Sequence, residues 1–253
     1  MSHLFVALII FACVFGSALL GLFIRKQLPA HHLSDESLGV VKLATGLIAT
    51  MAALVLGLLI SSAKVTFETT NTQLILNAAK VIQLDQVLAR FGPETQEIRT
   101  VLKHNYAAVI DVIATHDRSK LSQLESPQAI SRSDALRRQI ENLQPGNDLQ
   151  HALKVKAEQI ADEVLGARWL TLLQANGSIP DIFLIFLVTW LSIIFGSFGL
   201  FAPYNGTVIV ALFTCALSTS AAMFLIQEMN RPLDGIIGVS VEPMRDTLSR
   251  LGQ

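Results

Sequence analysis

The stretch LLISSAKVTFETTN, residues 58–71, joins two kinds of sequence in one uninterrupted segment. Its first residues end an uncharged run, 43–63, that reaches the length of about 20 apolar residues needed to cross a bilayer core. Lys64 and Glu68 then begin a polar pattern of helical period, and no Gly or Pro interrupts the chain before Gly92. The sequence therefore predicts a transmembrane helix that continues into water without a break.

Three more runs of similar length lack charged residues, and they cover residues 4–24, 182–201 and 207–226. The first is expected to be a retained helix, because no Lys or Arg precedes it as in a signal peptide. Apolar residues make up 51% of the 253-residue chain, and charged residues only 15%. We predict an all-α integral membrane protein with four transmembrane helices and a helical soluble bundle inserted between the second and third.

The predicted parts follow from these runs. They are a first transmembrane helix pair at 1–63, a soluble helical bundle at 64–177, a second transmembrane pair at 178–227 and a C-terminal tail at 228–253. Within the bundle, an apolar stripe continues the second transmembrane helix through Phe67, Leu74, Ile75, Ala78, Val81, Ile82 and Leu88. Gly92-Pro93 predicts the end of that helix, and further helices are predicted from Pro93, over 133–143 and over 147–175. A loop is predicted at 115–127, and Gly177 and Pro180 mark the entry to the third span.

Residues that could carry catalysis or bind a metal are scattered. The histidines lack the spacing of metal ligands, and they include His31, His32, His104, His116 and His151. Cys13 and Cys215 fall inside apolar runs, where a thiol is typically a small apolar side chain. The formal net charge of −1 offers no basic surface for nucleic acid. We therefore expect no enzyme activity, no cofactor or metal, and no nucleic-acid partner.

The second span carries a stripe of small and polar residues at helical spacing. Its members are Gly46, Thr50, Ala53, Gly57, Ser61 and Lys64, and Glu68 and Asn71 continue it past the apolar run. Leu47, Met51, Leu54 and Leu58 lie on another face, which suits contact with lipid. Small residues four apart let helices approach closely, so the stripe predicts helix packing. A stripe facing a water-filled path for ions is the other interpretation.

A short motif follows the last span. Arg231 suits both the helix C-terminus and lipid headgroups, and Pro232 prevents the helix from continuing. Glu228 lies one turn earlier as a possible partner for Arg231. The motif predicts either a stop-and-anchor signal or a specific contact with the soluble bundle.

These features resemble bacterial integral membrane proteins that carry a bestrophin-like domain, and the resemblance covers nearly the whole chain. It rests on the four spans, on LVLGLLISSAKVTFET at the exit of the second span and on QEMNRPLDGIIGVSVEP after the last one. Glu228, Arg231, Pro232 and Gly235 match the family pattern of an acidic residue, two others, Arg-Pro, two others and Gly. The family usually has an aromatic residue after Arg-Pro, where this chain has Leu233.

The resemblance implies a function. Bestrophins are homopentameric ion channels, mostly anion-selective, whose second transmembrane helices line a central pore, and the implied pore helix here is the second span. The acidic cluster of the bestrophin calcium clasp has no counterpart, so calcium gating is not implied. The leading hypothesis is a homo-oligomeric channel in a lipid bilayer with inorganic ions as its partners. The alternative is a non-conducting, membrane-anchored sensor or scaffold that signals through its long helices.

Charge around the spans predicts the orientation in the membrane. The side of the bundle and termini carries Lys64, Lys80, Arg168, Arg231 and Arg245, and the opposite side carries Arg25, Lys26 and Lys42. Because cytosolic loops are enriched in Lys and Arg, we expect the bundle and both termini on the cytosolic side of a bacterial inner membrane.

Overall fold

The computed structural model of the protein describes residues 3–27, 35–175 and 181–253. The regular secondary structure in these ranges is entirely helical, which confirms the predicted all-α fold for the described residues. The α-helices in chain order are α1 (His3–Gln27), α2 (Asp35–Phe91), α3 (Gln96–Ala114), α4 (Arg118–Leu121), α5 (Pro127–Glu141), α6 (Asp148–Ala175), α7 (Asp181–Phe201), α8 (Gly206–Met229) and α9 (Glu242–Arg250). His31, His32, Gly177 and Pro180 lie outside the described ranges.

The chain forms two compact units. The first, here the membrane unit, comprises Met1–Val65 and Ser178–Asn230, and the second, here the bundle unit, comprises Thr66–Gly177 and Arg231–Gln253. Among the described residues, four helices are long and apolar enough to cross a membrane: α1, a segment of α2, α7 and α8. The location of the bundle unit in water remains a prediction. The residues predicted as a tail, 228–253, are shared between the two units, and α9 packs against α3.

The core of the membrane unit is built on α1, which packs against α7 and α8. The buried side chains of α1 follow a spacing of four residues at Ile10, Val14, Ala18 and Leu22. Ser220 of α8 is also buried, and its hydroxyl donates a hydrogen bond of 2.6 Å to the carbonyl oxygen of Ala7. Since an unsatisfied hydroxyl is costly in an apolar core, this bond fixes α8 against α1.

The helices α1 and α7 touch through glycines. A Cβ added at Gly21 would overlap the carbonyl oxygen of Gly196, and one added at Gly199 would overlap that of Ala18. Only glycine leaves room for such an approach of two backbones, and small residues at the contact are typical of membrane helix pairs. The two glycines of GSFG, 196–199, are the local sequence feature that indicates such a contact, whereas the sequence-based prediction of small-residue packing concerns the second span.

The predicted continuity of the second helix is confirmed, because α2 runs for 57 residues from Asp35 to Phe91. It ends where the sequence predicts, at Gly92, whose φ of 144° is open to glycine but strained for other residues. Pro93 then begins a 3-10 turn, Pro93–Thr95, before α3.

The apolar stripe in the bundle unit is confirmed for most of its members and wrong for Ile75. Leu74, Ala78, Val81 and Leu88 are buried in the core, whereas the Ile75 side chain is 44% exposed. Ile75 lies about 100° around the helix from Leu74, because each residue of an α-helix turns by that angle. Leu84 and Asp85 complete the buried face instead.

The later helices of the bundle unit differ from the prediction mainly at α5. This helix begins at Pro127, well before the predicted 133, because Ser126 caps it by accepting a hydrogen bond from the Ala129 amide. The predicted loop at 115–127 contains α4 and the 3-10 turn Ser122–Glu125. The predicted helix at 147–175 is confirmed as α6.

Candidate functional site: the exposed small-residue face of α2

The part of α2 in the membrane unit has three faces. One faces the core of that unit, where Thr45 is 7% exposed, Ala52 3% and Ala63 0%. Ile48, Ala49, Leu56 and Leu59 pack beside them. The intramolecular packing of α2 in this unit therefore uses residues outside the predicted stripe.

The second face is the predicted stripe. In the membrane unit all of its members are exposed, and they are Gly46, Thr50, Ala53, Gly57, Ser61 and Lys64. No described atom lies within 4 Å of a Cβ placed on Gly46 or Gly57, the backbone of the helix itself apart. The stripe lies roughly 120° around the helix from the buried face, since each residue turns by about 100°. Within the described part of the chain, Gly46 and Gly57 therefore do not pack α2 against another helix.

The third face of α2 is covered by large apolar side chains. Leu47, Met51, Leu54 and Leu58 are between 49% and 67% exposed. Such side chains suit lipid tails, and the stripe beside them offers no apolar side chain of comparable size. The two exposed faces of one helix therefore differ in what can cover them.

Polar groups on the stripe occur in the apolar span and again where the span ends. The Thr50 hydroxyl donates a hydrogen bond of 2.8 Å to the carbonyl oxygen of Leu47, so it is satisfied without a partner helix. Lys64 is exposed at the end of the apolar run. Further along α2, in the bundle unit, Glu68 is exposed and Asn71 is half-buried.

The motif after the last span is divided between the units. In the membrane unit, Glu228 is 2% exposed, and its Oε1 lies 2.9 Å from Nδ1 of His3. The local sequence suggests only Arg231 as a partner of Glu228. The contact with His3 was missed because it depends on the packing of α1 beside α8, which no local pattern encodes.

In the bundle unit the remaining motif residues form a turn. The Asp234 amide donates to the carbonyl oxygen of Arg231 at 3.3 Å, and the Val239 amide donates to that of Pro232 at 2.9 Å. Leu233, which replaces the usual aromatic residue, is 1% exposed in the core. The position is buried, so an apolar side chain such as that of Leu233 suits it.

The described residues bring no metal-binding group together: they contain no cluster of three or more His, Cys, Asp or Glu side chains suited to an ion. Cys13 and Cys215 are free thiols, and both are exposed on membrane-unit helices.

The all-helical structure and its four apolar helices define the class of the chain, a membrane protein. The family described as the bestrophin-like domain matches residues 12–244, nearly the whole length, and the chain belongs to that family. The resemblance inferred from the motif at Glu228–Gly235 is thereby confirmed. No curated protein and no solved structure matches the chain. Membership supports a channel-like role at the level of the family, which is known for channels rather than enzymes.

Proposed function

We propose that the protein is a homo-oligomeric ion channel whose pore is lined by the stripe on α2. The observation that supports this most is the exposure of the stripe over the whole apolar length of the helix. A face without large apolar side chains is poorly covered by lipid, and no described atom, the helix backbone apart, lies within 4 Å of a Cβ placed at Gly46 or Gly57. Copies of the chain arranged around an axis would cover its edges and leave a path lined by small and hydroxyl-bearing residues.

The further features of the proposal follow the family. By resemblance to bestrophins, five copies would surround the pore, with the bundle units and termini on the cytosolic side of a bacterial inner membrane. In that orientation, the pair Arg25 and Lys26 lies at the outer surface. Arg25 donates a hydrogen bond of 2.7 Å to the carbonyl oxygen of Phe201, and the Lys26 ammonium lies 3.7 Å from the centroid of the Tyr204 ring. Both cations are thus engaged by the turn between α7 and α8, which offsets their cost on the side where positive charge is disfavoured.

The first test of the proposal places a large side chain on the stripe. Gly57→Leu is expected to leave the subunit folded, because the site is open, but to disrupt the oligomer or obstruct the pore. Leu54→Ala, on the lipid-facing side, is the control and is expected to assemble and conduct like the unmodified protein. Mass determination in detergent and bilayer recording measure the two effects. Identical mass and current for both variants would show that the stripe does not line the pore.

The second test uses the two charges at the end of the span. A ring of Lys64 side chains would raise the local anion concentration over roughly a Debye length, about 10 Å at 0.1 M salt. Lys64→Glu is therefore expected to shift the reversal potential in a salt gradient toward that of cations. Glu68→Gln is expected to shift it toward that of anions, and both shifts should shrink at about 1 M salt, where the Debye length is about 3 Å. A conducting protein whose selectivity ignores both substitutions would place the pore elsewhere.

The alternative function is a non-conducting sensor or scaffold, and the observation that favours it is the unbroken α2, which could transmit a movement along its length. The recordings separate the two. Purified protein that forms oligomers but carries no current under any ionic condition would favour the scaffold. In that case Lys64 and Glu68 would contribute only a few tenths of a kcal/mol as a helix pair four residues apart.

A further inference from the structure

A cavity of about 290 Å³ lies inside the bundle unit. Most of its wall is apolar, and it is formed largely by side chains of α2, α3, α5 and α6, among them Val81, Leu102, Val109, Leu136 and Val164. Ligand pockets in proteins have volumes of roughly 300–1,000 Å³, so this one suits a small molecule. The cavity is partly open to solvent, so an apolar occupant would remove its apolar walls from water and stabilise the bundle.

One part of the wall carries positive charge. The Arg168 side chain is half-buried, and it donates a hydrogen bond of 2.7 Å to the Ser133 hydroxyl and another to the carbonyl oxygen of Leu124. Arg132, on α5, also lines the cavity and is exposed. Among the described side chains, no carboxylate forms an ion pair with either guanidinium.

The electrostatics of this part of the wall favour an anion. Burial lowers the pKa of Arg168, and the neighbouring positive charge of Arg132 lowers it further. Both causes disfavour the charged form, and the opposite charge of a bound anion would offset them. A guanidinium has five N–H donors, and Arg168 uses two of them on neutral oxygens, so donors remain for a carboxylate.

A second polar group of the wall lacks a well-formed hydrogen bond. The Tyr106 hydroxyl is buried, and no described atom accepts or donates to it in normal geometry. Burial raises its pKa, and the neighbouring Thr247 opposes part of the rise. A buried hydroxyl of this kind is costly, and an occupant of the cavity could offer it a partner.

We propose that this cavity binds a medium-chain carboxylate, with the chain among the apolar side chains and the carboxylate against Arg168 and Arg132. The volume corresponds to about ten waters at about 30 Å³ each, which is room for a chain of about eight to ten carbons. A neutral chain would leave the two guanidiniums uncompensated, and a short acid would leave most of the apolar wall unfilled. This binding belongs to the bundle unit and does not depend on conduction by α2.

Decanoate, titrated calorimetrically into the full-length protein in lipid nanodiscs, tests the binding, with empty nanodiscs correcting for partition into lipid. We expect saturable binding to the protein beyond that correction. Arg168→Gln should weaken decanoate binding by about tenfold or more, since it removes a charge-assisted pair. The same variant should change the affinity for 1-decanol by less than about twofold, because the chain contacts are kept. Arg137→Gln is the matched control on α5, since Arg137 pairs with Glu141 and Asp162 outside the cavity.

A second variant tests the location of the ligand without changing Arg168. Val109→Trp is expected to fill the cavity and abolish the binding of both decanoate and decanol while the protein remains folded. Wild-type protein that binds decanoate no better than empty nanodiscs would overturn the proposal. Equal decanoate affinity in wild type, Arg168→Gln and Val109→Trp would overturn it as well, because the ligand would then lie elsewhere. Binding that Val109→Trp abolishes but Arg168→Gln leaves unchanged would overturn the assignment of an anionic ligand.

Discussion

Asp85→Ala is expected to destabilise the bundle unit by about 3 to 5 kcal/mol, because it leaves the charge of Arg99 buried without its partner. The Arg99 Nε and Nη2 atoms lie 2.8 and 2.9 Å from the two carboxylate oxygens of Asp85. Both side chains are almost fully buried, at 10% and 5% exposure. The hydrogen bond to Asp85 is the main cause that raises the pKa of Arg99.

The pH dependence of this contribution to stability follows from the direction in which the pKa of Arg99 shifts on folding. When folding raises the pKa of a basic group, the group contributes its full stabilisation at pH values below its pKa in the unfolded chain. That stabilisation is lost as the pH rises through the pKa of the group in the folded protein. Both values for Arg99 lie far above neutral pH, so its share of the stability should be constant across the neutral range.

The same ion pair fastens the last residues of the chain. Arg99 Nη2 donates to the carbonyl oxygen of Gln253 at 3.0 Å, and the Gly252 amide donates to Asp85 at 3.2 Å. Lys103 adds a bond of 2.8 Å to the carbonyl oxygen of Leu251. Loss of Asp85 is therefore expected to release this segment before the rest of the bundle opens.

Hydrogen exchange of the protein in nanodiscs measures the effect as the free energy of opening of amides in α3 and α9. The matched control is Glu163→Ala, which removes an exposed pair with Lys80 at 3.3 Å and should cost far less than Asp85→Ala, because exposed ion pairs contribute little. The double variant Asp85→Leu with Arg99→Met should recover much of the loss, because a buried pair can be replaced by apolar side chains. Equal protection in Asp85→Ala and Glu163→Ala would refute the assigned role of the ion pair.

Gly21→Ala is expected to separate α1 from α7 and to cost about 3 kcal/mol, the upper end for overpacked sites. Its Cβ would overlap the carbonyl oxygen of Gly196 and crowd the Leu200 amide nitrogen. Because these are backbone atoms, no rotamer change can make room, and a helix must move. Gly199→Ala, which meets the Ala18 carbonyl oxygen from α7, should have a similar effect.

Gly16→Ala provides the control on the same helix, because nothing described lies within 4 Å of its Cβ. It should leave stability unchanged or raise it, since alanine favours the helix over glycine by up to about 1 kcal/mol. Thermal unfolding of the detergent-solubilised protein, followed by gel filtration, compares the three variants. Equal stability of Gly21→Ala and Gly16→Ala would show that α1 and α7 do not touch at these glycines.

The sequence by itself determined the four long apolar helices and the residue at which α2 ends. The uncharged runs predicted the four apolar helices, and Gly92-Pro93 predicted the end of α2. These features are local, because length, helical period and backbone restrictions act within a single segment. The resemblance motif was local as well, since Glu228, Arg231, Pro232 and Gly235 fall within one short stretch.

Only the tertiary structure decided which face of each helix is covered. In the membrane unit, α2 buries Thr45, Ala52 and Ala63 and leaves the stripe around Gly57 exposed. Hydropathy cannot make this choice, because lipid tails are as apolar as a protein core and either can cover the same side chains. Pairs such as Gly21 with Gly196, His3 with Glu228 and Arg168 with Ser133 join distant parts of the chain, so they exist only once the helices have packed.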